Sequence, residues 1–375
     1  MKKLIAILIC IALSFPAIPC RAEDFEFAAD SVILMEAKTG QILYEKNADK
    51  PLPPASVTKI MTMLLVMEAL DNGKIQLSDK VSVSEHAANM GGSQVYLEPG
   101  EMMTVDELLK CVAVASANDA AAALAEYLEG SEETFVKKMN ERAQELGMKN
   151  TCFENTNGLD DTTNNHVTSA RDIAVMSREL LKHEQIFNYT KIWMDTVRNG
   201  SFGLTNTNRL IRFYKGANGL KTGSTSKAGF CISASAERDG LQLIAVVMAS
   251  PTRDDRNQTA VKLLDFGFAG YSFYEDLPEN TFVDVVGSMK KQVTVGVKEQ
   301  FSYLAKKEEK VKIERVIELP QQLKAPVLQG DSVGKIRYLI DGKEIGFTDI
   351  LAKQDAERIG FADLFKFALK KMAIF

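Results

Sequence analysis

Alternating and continuous apolar runs predict the first secondary structure elements of the chain. Two β-prone runs, residues 31–36 and 41–46, flank Ala37-Lys38-Thr39-Gly40, a pattern that predicts a hairpin with glycine in its turn. Residues 60–70 are then almost continuously apolar, and this run is too long for a strand. A buried helix that begins near Ser56 is therefore predicted.

A second pattern predicts two helices that meet near Ser116. Thr104 followed by Glu107 is typical of a helix start with a capping box, and apolar residues continue the helix toward Ser116. Asn118 precedes another helical run, residues 120–128. Side chains at such a junction point into a cleft or simply cap the two helices, and the pattern leaves both alternatives open.

Between residues 229 and 271 the pattern predicts two strands followed by a helix. Residues 229–236 and 241–249 form two β-prone runs around a short polar turn, which predicts a long hairpin. A helix over residues 259–266 is predicted to end at Gly267 with a C-terminal glycine cap. Together with the preceding helices, this predicts an α+β domain in which an antiparallel sheet is flanked by helices.

Beyond about residue 272 the pattern changes to short alternating runs with turn residues between them. These runs, which predict a separate small β-sandwich-like domain, cover residues 283–286, 292–297, 311–317 and 335–340. The predicted division is therefore a segment 1–22, an α+β domain 23–271, a β-rich domain 272–351 and a terminal helix 352–375.

The terminal helix is predicted to be amphipathic. Its apolar residues recur at helical spacing, with Lys366 and Lys370 on another face. A helix lying in the plane of a membrane surface and a helix docked on its own β domain both fit this pattern. The absence of a later domain in the sequence to cover the aromatic stripe favours the membrane, and the charges are too many for a spanning helix.

The first 22 residues have the zones of an export signal. Met1-Lys2-Lys3 is followed by an apolar run over residues 4–15 and by small residues that end at Ala22. The apolar run is shorter than the ~20 residues that a spanning helix needs. Cleavage after Ala22 would place the mature chain outside the cytoplasm, where the terminal helix would attach it peripherally to the outer face of the cytoplasmic membrane.

Composition removes several classes of function. The net charge of −5 provides no basic surface for nucleic acid, so binding of DNA or RNA is not predicted. Only Cys111, Cys152 and Cys231 remain after removal of the signal, and the chain has 3 histidines, so neither a metal site nor a disulfide framework is predicted. No cofactor is predicted either.

Three short motifs carry the candidate chemistry. Ser-x-x-Lys occurs at Ser56, Ser224, Ser288 and Ser332, but only the first copy lies at the start of a predicted helix. The other two motifs are Ser116-Ala117-Asn118, which occurs once, and Lys-Thr-Gly, which occurs at Lys38, in the predicted hairpin turn, and at Lys221, at or just before a strand. Together these motifs predict a serine acyl-transfer site.

The chemistry assigns a role to each residue of the first two motifs. Ser56 and Lys59 lie three apart on the first helical turn, so their side chains share one face. With no histidine beside Ser56, Lys59 is the available base, and burial or a neighbouring cation would keep it neutral. Ser116 would pass a proton to the leaving amine, and Asn118 would hold the Lys59 amine or a substrate amide.

The third motif would bind the anionic end of a substrate. Lys221 would supply the cation near Lys59 or bind a substrate carboxylate, and Thr222 would add a hydroxyl donor. Gly223 would let the substrate backbone lie close to the strand. The backbone N–H groups of Ser56 and Ser224 would form an oxyanion hole.

These motifs resemble those of the low-molecular-mass penicillin-binding proteins, specifically the D-alanyl-D-alanine carboxypeptidases. The resemblance covers nearly the whole chain. The stretches that carry it are Pro54-Ala55-Ser56-Val57-Thr58-Lys59-Ile60-Met61-Thr62, Ser116-Ala117-Asn118-Asp119-Ala120-Ala121, Gly219-Leu220-Lys221-Thr222-Gly223, Tyr96-Leu97-Glu98-Pro99-Gly100-Glu101 and Thr168-Ser169-Ala170-Arg171-Asp172.

The resemblance implies a β-lactamase/transpeptidase-like fold and a penicillin-sensitive enzyme that removes the terminal D-alanine of peptidoglycan stem peptides ending in D-Ala-D-Ala. It implies that Ser56 is acylated, that Lys59 accepts its proton and that Lys221 binds substrate. It also implies the terminal membrane helix and a role for Arg256 in holding the terminal carboxylate, for which Arg253 competes. His166 lies in a stretch similar to one near the family's cleft, but an exposed loop histidine is predicted.

Two alternatives remain at this point. A β-lactamase of related fold would need a glutamate in the loop before the third motif, where Glu154 precedes the loop and lacks the family setting. A non-catalytic cell-wall peptide-binding protein would keep the cleft without the reaction. The presence of nucleophile, base and relay together favours the enzyme.

Overall fold

The N-terminal domain is built on one antiparallel sheet. The computed structural model describes residues 26–161 and 163–372 of the chain, so the predicted signal lies outside the described residues. The strands of the sheet are β1 (Ser31–Glu36), β2 (Ile42–Lys46), β7 (Ala217–Thr225), β8 (Gly229–Arg238) and β9 (Leu241–Ser250). Their order is β2-β1-β9-β8-β7, which makes β7 an edge strand. The predicted hairpins β1–β2 and β8–β9 are confirmed.

Helices cover both faces of this sheet. They are α1 (Lys59–Asp71), α2 (Glu85–Ala88), α3 (Val105–Lys110), α4 (Asn118–Glu129), α5 (Glu132–Glu145), α6 (Ala170–Leu180), α7 (Phe187–Thr190), α8 (Leu210–Phe213) and α9 (Arg253–Gly270). The helix α6 packs on β1 and β9, with α1 behind it, while α9 packs on the opposite face. Two hairpins, β3 (Lys80–Ser82) with β4 (Met102–Thr104) and β5 (Met194–Val197) with β6 (Phe202–Thr205), lie outside the sheet.

Apolar burial explains why α1 forms where the sequence predicts it. All its residues from Lys59 to Met67 are buried, and they join the larger of the two cores of this domain. The smaller core lies between the sheet and α9. Ten residues of α1 are buried, so the helix is held by packing on all sides rather than along one stripe.

The predicted end of α9 is wrong. The helix continues through Gly267 to Gly270 and does not use Gly267 as a cap. A Cβ atom at Gly267 would lie 2.5 Å from Leu243 Cδ1 of β9. The glycine therefore permits close packing of the helix on the sheet, a role that the sequence pattern does not distinguish from a cap.

The C-terminal domain is β-rich, as predicted. A two-stranded sheet of β10 (Tyr271–Asp276) and β13 (Phe301–Lys306) lies beside a six-stranded sheet. The strands of the larger sheet are β11 (Thr281–Val286), β12 (Gln292–Val297), β14 (Ile313–Glu318), β15 (Gln322–Lys324), β16 (Ser332–Ile340) and β17 (Lys343–Ala352). Their order is β14-β16-β17-β12-β11-β15, with β11 and β15 parallel.

Two short elements complete the described chain. A single helical turn, α10 (Lys307–Lys310), follows β13, and α11 (Phe361–Met372) follows the larger sheet. Leu304 of β13 is buried in the core beneath α9, so the two domains share apolar packing. Within the described ranges, no helix combines the length and the apolar character that a membrane span requires.

Candidate active site

The site is centred on a turn of 3-10 helix, Ala55–Thr58, which we call the serine turn and which leads directly into α1. Because Ser56 lies in this turn and Lys59 opens the helix, the lysine Nζ atom reaches back to the serine Oγ at 2.9 Å. Lys59 Nζ also lies 2.6 Å from Asn118 Oδ1 and 2.8 Å from the carbonyl oxygen of Asn157. Ser56 and Lys59 therefore form a direct pair, held by two distant parts of the chain.

The two other partners of Lys59 determine where its lone pair points. A carbonyl oxygen and the amide Oδ1 accept hydrogen bonds but cannot donate them. In the neutral amine, Asn118 and Asn157 therefore take the two N–H groups, and the lone pair is directed at Ser56 Oγ. The geometry is that of a base oriented to accept the proton of Ser56.

Burial and a neighbouring charge both lower the pKa of Lys59. Its side chain is 0% exposed, and burial lowers its pKa well below the usual lysine value, with the positive charge of Lys221 as the second cause. Asp119 opposes this effect more weakly. Both of the causes that the sequence suggested for an activated lysine are thus present.

The second motif is placed by an unusual helix ending. Residues 111–115 form a π-helical turn after α3, and Ser116 ends it in the left-handed conformation with φ of 62°. Two residues later Asn118 starts α4 and is buried, with its Nδ2 donating to the Gly91 carbonyl at 2.6 Å. Since Oδ1 accepts from Lys59, both ends of the Asn118 amide are bonded within the protein.

The third motif lies inside β7 rather than before it. Lys221 is buried, and its Nζ donates to the Thr222 carbonyl at 2.9 Å. Burial lowers the pKa of Lys221 to about 7, with the charge of Arg256 as the second cause. Thr222 Oγ1 donates to Thr207 Oγ1 at 2.8 Å, which orients the hydroxyl at the mouth of the site.

Gly223 is placed against the serine turn. A Cβ atom at this position would lie 2.8 Å from Ser56 N, 2.9 Å from Pro54 O and 2.9 Å from Val57 N. All three are backbone atoms, so they cannot yield by a side-chain rotation. The missing side chain is therefore required for the approach of β7 to the nucleophile, in addition to any role toward a substrate.

A cavity of about 210 Å³ joins the three motifs. Its lining residues are Ser56, Ser93, Ser116, Thr207, Thr222, Gly223, Ser224, Arg253 and Arg256. Six of the nine site residues predicted from the sequence line the cavity, whereas Lys59, Asn118 and Lys221 are buried beneath it. Ser93 and Thr207 were missed, because neither belongs to a recognisable motif.

One end of the cavity is cationic. Arg256 is 3% exposed, and burial lowers its pKa to about 10, with the charge of Arg253 as the second cause. Its Nε and Nη2 atoms both donate to Asn257 Oδ1, a neutral acceptor. Arg253, Arg256 and Lys221 thus form a series of cations, and the cavity lining within the described ranges contains no carboxylate. Such a site favours an anionic ligand.

The loop that supplies the Asn157 carbonyl packs against the serine turn and the first turn of α1. Thr62 Oγ1 donates to the Thr156 carbonyl at 2.6 Å, one residue before Asn157. Gly158 has φ of 86°, and a side chain there would collide with the carbonyl oxygen of Ala55. Nothing in the sequence of this loop identifies Asn157 as a partner of Lys59.

The prediction that His166 is an exposed loop residue is wrong. His166 is 4% exposed and lies beneath the serine turn, with Nε2 at 2.8 Å from Thr58 Oγ1. Its Nδ1 accepts from the Glu154 backbone N–H, so Nε2 carries the proton and donates to Thr58. Thr58 Oγ1 in turn donates to the carbonyl of Ala55 at 2.9 Å. Burial lowers the pKa of His166 to about 4.

Glu154 does not reach the serine. Its Oε2 accepts from the backbone N–H groups of Asn164 at 2.9 Å and Asn165 at 3.1 Å. Its side chain lines a different cavity, together with His86 and Glu132. The carboxylate stabilises the loop and is not directed at Ser56.

The cysteines of the described residues are all free thiols. Cys111 and Cys231 are buried free thiols, and Cys152 is a half-buried free thiol. Across residues 26–161 and 163–372, no cluster of three or more His, Cys, Asp or Glu side chains has the arrangement of a metal site.

Comparisons with known proteins show what the chain is similar to. A family model described as D-alanyl-D-alanine carboxypeptidase matches residues 19–252, and one described as penicillin-binding protein 5, C-terminal domain, matches residues 277–358. The D-alanyl-D-alanine carboxypeptidase DacF of Bacillus subtilis is 45% identical over 92% of this chain and 90% of its own length.

Two solved structures are also similar. Penicillin-binding protein 5 from Haemophilus influenzae has a TM-score of 0.73 and 32% identity, covering 90% of this chain and 100% of that one. Penicillin-binding protein D2 from Listeria monocytogenes, in its ampicillin-bound form, has a TM-score of 0.58 and 32% identity, covering 66% of this chain and 100% of that one.

Proposed function

The chain belongs to the D-alanyl-D-alanine carboxypeptidase family and is a serine-type enzyme of that class, and we propose that it acts through an acyl-enzyme on Ser56. The substrate is a peptidoglycan pentapeptide that ends in D-Ala-D-Ala, and the products are the tetrapeptide and free D-alanine. One observation carries the assignment of residues: the bond of 2.9 Å between Lys59 Nζ and Ser56 Oγ at the floor of the cationic cavity.

Acylation begins with the transfer of a proton. Lys59 accepts the hydroxyl proton of Ser56 while Oγ attacks the carbonyl carbon of the penultimate D-alanine. The backbone N–H groups of Ser56 and Ser224 would stabilise the resulting oxyanion. Ser116, on the cavity wall, would relay the proton from Lys59 to the amine of the departing D-alanine, and the C–N bond then breaks.

Deacylation uses water as the second nucleophile. Lys59, again neutral, accepts a proton from water as the water oxygen attacks the ester carbonyl, and the proton returns to Ser56 Oγ as the C–O bond breaks. No carboxylate is needed for this sequence, because the same lysine serves in both halves.

The cationic end of the cavity would hold the free carboxylate of the terminal D-alanine. Thr222, Arg253 and Arg256 line the wall at this end, and Lys221 contributes its charge from beneath. These cations attract an anionic ligand more strongly than they would in water, because the surroundings are largely buried. This recognition would make the enzyme a carboxypeptidase, since a peptide bond inside a chain has no carboxylate to offer.

β-Lactams should acylate the same serine. The similar structure from Listeria monocytogenes is described in an ampicillin-bound form, and the present cavity offers both a nucleophile and a site for the β-lactam carboxylate. A covalent penicillin adduct is therefore expected on Ser56 and should be lost in Ser56→Ala.

The direct test measures D-alanine released from a defined pentapeptide by the wild-type and Lys59→Ala proteins. Release by the wild type and its loss in the variant would support the proposal. A penicillin adduct on a residue other than Ser56, or binding of the pentapeptide without release, would overturn it.

The two alternative functions make different predictions. A β-lactamase would clear its penicillin adduct rapidly, which mass spectrometry of the enzyme during turnover detects. The Glu154 carboxylate accepts from loop N–H groups and is not directed at Ser56, which favours a long-lived adduct. A non-catalytic binder would show pentapeptide affinity without product, which is not expected with Lys59 bonded to Ser56.

The predicted cellular location also belongs to this proposal. Export through residues 1–22 would place the enzyme outside the cytoplasm, with α11 lying on the outer face of the cytoplasmic membrane. In α11 the exposed fractions are 84% for Phe361, 51% for Leu364, 57% for Phe365 and 47% for Leu369. Deleting residues 361–375 should release the enzyme from the membrane fraction, and retention there would contradict this attachment.

A further inference from the structure

A second group of exposed apolar side chains lies at one end of the β domain. Val286 is 46% exposed and Met289 is 50% exposed, at the turn between β11 and β12. Leu328 is 58% exposed on a neighbouring loop. Lys290 and Lys291 follow Met289 and are also exposed. We call these five residues the basal surface.

Hydrogen bonds join the basal surface to the start of α11. The Ile359 N–H donates to the Gly287 carbonyl at 2.8 Å, and Lys290 Nζ donates to the Asp355 carbonyl at 2.7 Å. On the Leu328 side, Val327 and Ala356 form a β-bridge. The segment before α11 is therefore fixed to both loops and is not a free linker.

This attachment limits how far the basal surface can lie from α11. Phe361 follows Ile359 by two residues, which span about 7 Å at most. An amphipathic helix in a bilayer lies ~5–10 Å deep, at the boundary of head groups and acyl chains. When the start of α11 lies at that depth, the turn that carries Met289 is within reach of the head groups.

The charges on this end of the domain are mixed. Lys290, Lys291 and the exposed Lys324 are accompanied by the exposed Asp331 and Glu357. A purely electrostatic attraction to anionic lipids would therefore be weak. Apolar side chains at the tips of two loops, with lysines beside them, suit insertion between head groups instead.

We propose that the basal surface is a second membrane contact, in which Met289, Val286 and Leu328 enter the head-group region beside α11. The inference rests on the proposed attachment through α11. With two contacts at one end, the β domain stands in a fixed orientation on the bilayer and does not swing on a tether. The N-terminal domain, packed on the β domain through Leu304, is then presented at a defined height.

The first test locates Met289 directly. The chain has 1 tryptophan, Trp193, which lies in the N-terminal domain. The fluorescence of a second, introduced tryptophan can therefore be measured against the constant signal of Trp193. In protein starting at Glu23, Met289→Trp should be quenched by brominated phosphatidylcholine in vesicles that also contain phosphatidylglycerol. The matched control is Val311→Trp, at an 87% exposed position near the opposite end of the same sheet, and it should not be quenched.

The second test measures affinity by co-sedimentation with the same vesicles. Met289→Glu combined with Leu328→Glu should weaken binding by roughly tenfold, whereas Val311→Glu should leave binding unchanged. Leu364→Glu combined with Phe365→Glu tests α11 itself. Labelling of Ser56 by a fluorescent penicillin verifies that each variant is folded.

The possible results separate the two proposals. If the α11 variant loses binding but the basal variant binds as the wild type does, without quenching at position 289, the basal contact is wrong and the α11 attachment stands. If neither variant loses binding, both are wrong. Loss in both variants, with quenching at position 289, supports the basal contact.

Discussion

Replacing Gly223 with alanine adds one methyl group at the point where β7 meets the serine turn. The new Cβ atom would lie 2.8–2.9 Å from three backbone atoms, which belong to Pro54, Ser56 and Val57. Ordinary contacts of this type begin at 3.4 Å, so the strand and the turn must separate by about 0.5 Å or more. A side-chain rotation cannot relieve the contact, because none of the three atoms is in a side chain.

The expected effect on acylation follows from this displacement. Ser56 would move relative to the cavity wall of β7, whereas Lys59 is held by Asn118 and Asn157. A misplacement of ~1 Å in an active site costs about a hundredfold in rate. We therefore expect Gly223→Ala to slow acylation by about tenfold to a hundredfold. Overpacking of this kind also destabilises a fold by about 1–3 kcal/mol.

The assay is the second-order rate of acylation by a chromogenic or fluorescent penicillin, measured at a temperature well below the thermal midpoint. Gly203→Ala provides a matched control, because Gly203 lies in β6, needs no left-handed conformation, and has no neighbouring atom within 4 Å of the position that a Cβ would occupy. D-alanine release from the pentapeptide should fall in parallel with acylation in Gly223→Ala and remain normal in Gly203→Ala.

An acylation rate for Gly223→Ala within twofold of the wild type would refute the argument. It would mean that the strand and the turn separate without moving Ser56 from its reactive position. A variant that loses stability but keeps its rate would assign Gly223 to packing alone.

Three further predictions concern the ionisable groups beneath the cavity. Lys59→Ala should lower D-alanine release by about a thousandfold or more, since no other base contacts Ser56 within the described ranges, and a smaller loss would point to another base. Lys221→Gln removes a charge that lowers the pKa of Lys59, so the rising limb of acylation against pH should move to higher pH, and an unmoved limb would contradict this coupling. His166 has a pKa of about 4 in the folded protein and 6.5 as its ordinary value, so the unfolded chain binds the proton first as pH falls. The free energy of unfolding should therefore fall by about 3 kcal/mol as the pH falls from 6.5 to about 4. Chemical unfolding should show this pH dependence in the wild type and not in His166→Gln.

The amino-acid pattern was sufficient wherever a feature depends on neighbouring residues. Ser56 and Lys59 are three residues apart, and any helical turn brings such side chains to one face. The capping box of Thr104 and Glu107 forms as predicted, because both partners lie within one turn. The hairpin β1–β2 follows in the same way from alternation and a turn glycine.

Where a residue could have either of two roles, the sequence pattern did not decide between them. Asn118 was predicted to hold the Lys59 amine or a substrate amide, and the structure shows it bonded to Lys59 and to the Gly91 carbonyl. Gly267 looked like a cap and instead permits close packing on Leu243. In each case the partner lies in a distant segment of the chain, so the local sequence does not identify it.

The sequence by itself determined the class of reaction and the pairing of Ser56 with Lys59, because these depend on residue type and short spacing. Only the tertiary structure decided the surroundings of the Lys59 amine. The Asn157 carbonyl reaches Lys59 across 98 residues, and the cations of Lys221, Arg253 and Arg256 come together when β7 and α9 meet at the cavity. His166 became a buried support of the serine turn for the same reason. Desolvation and Coulomb interactions depend on distance in space, and folding alone sets that distance.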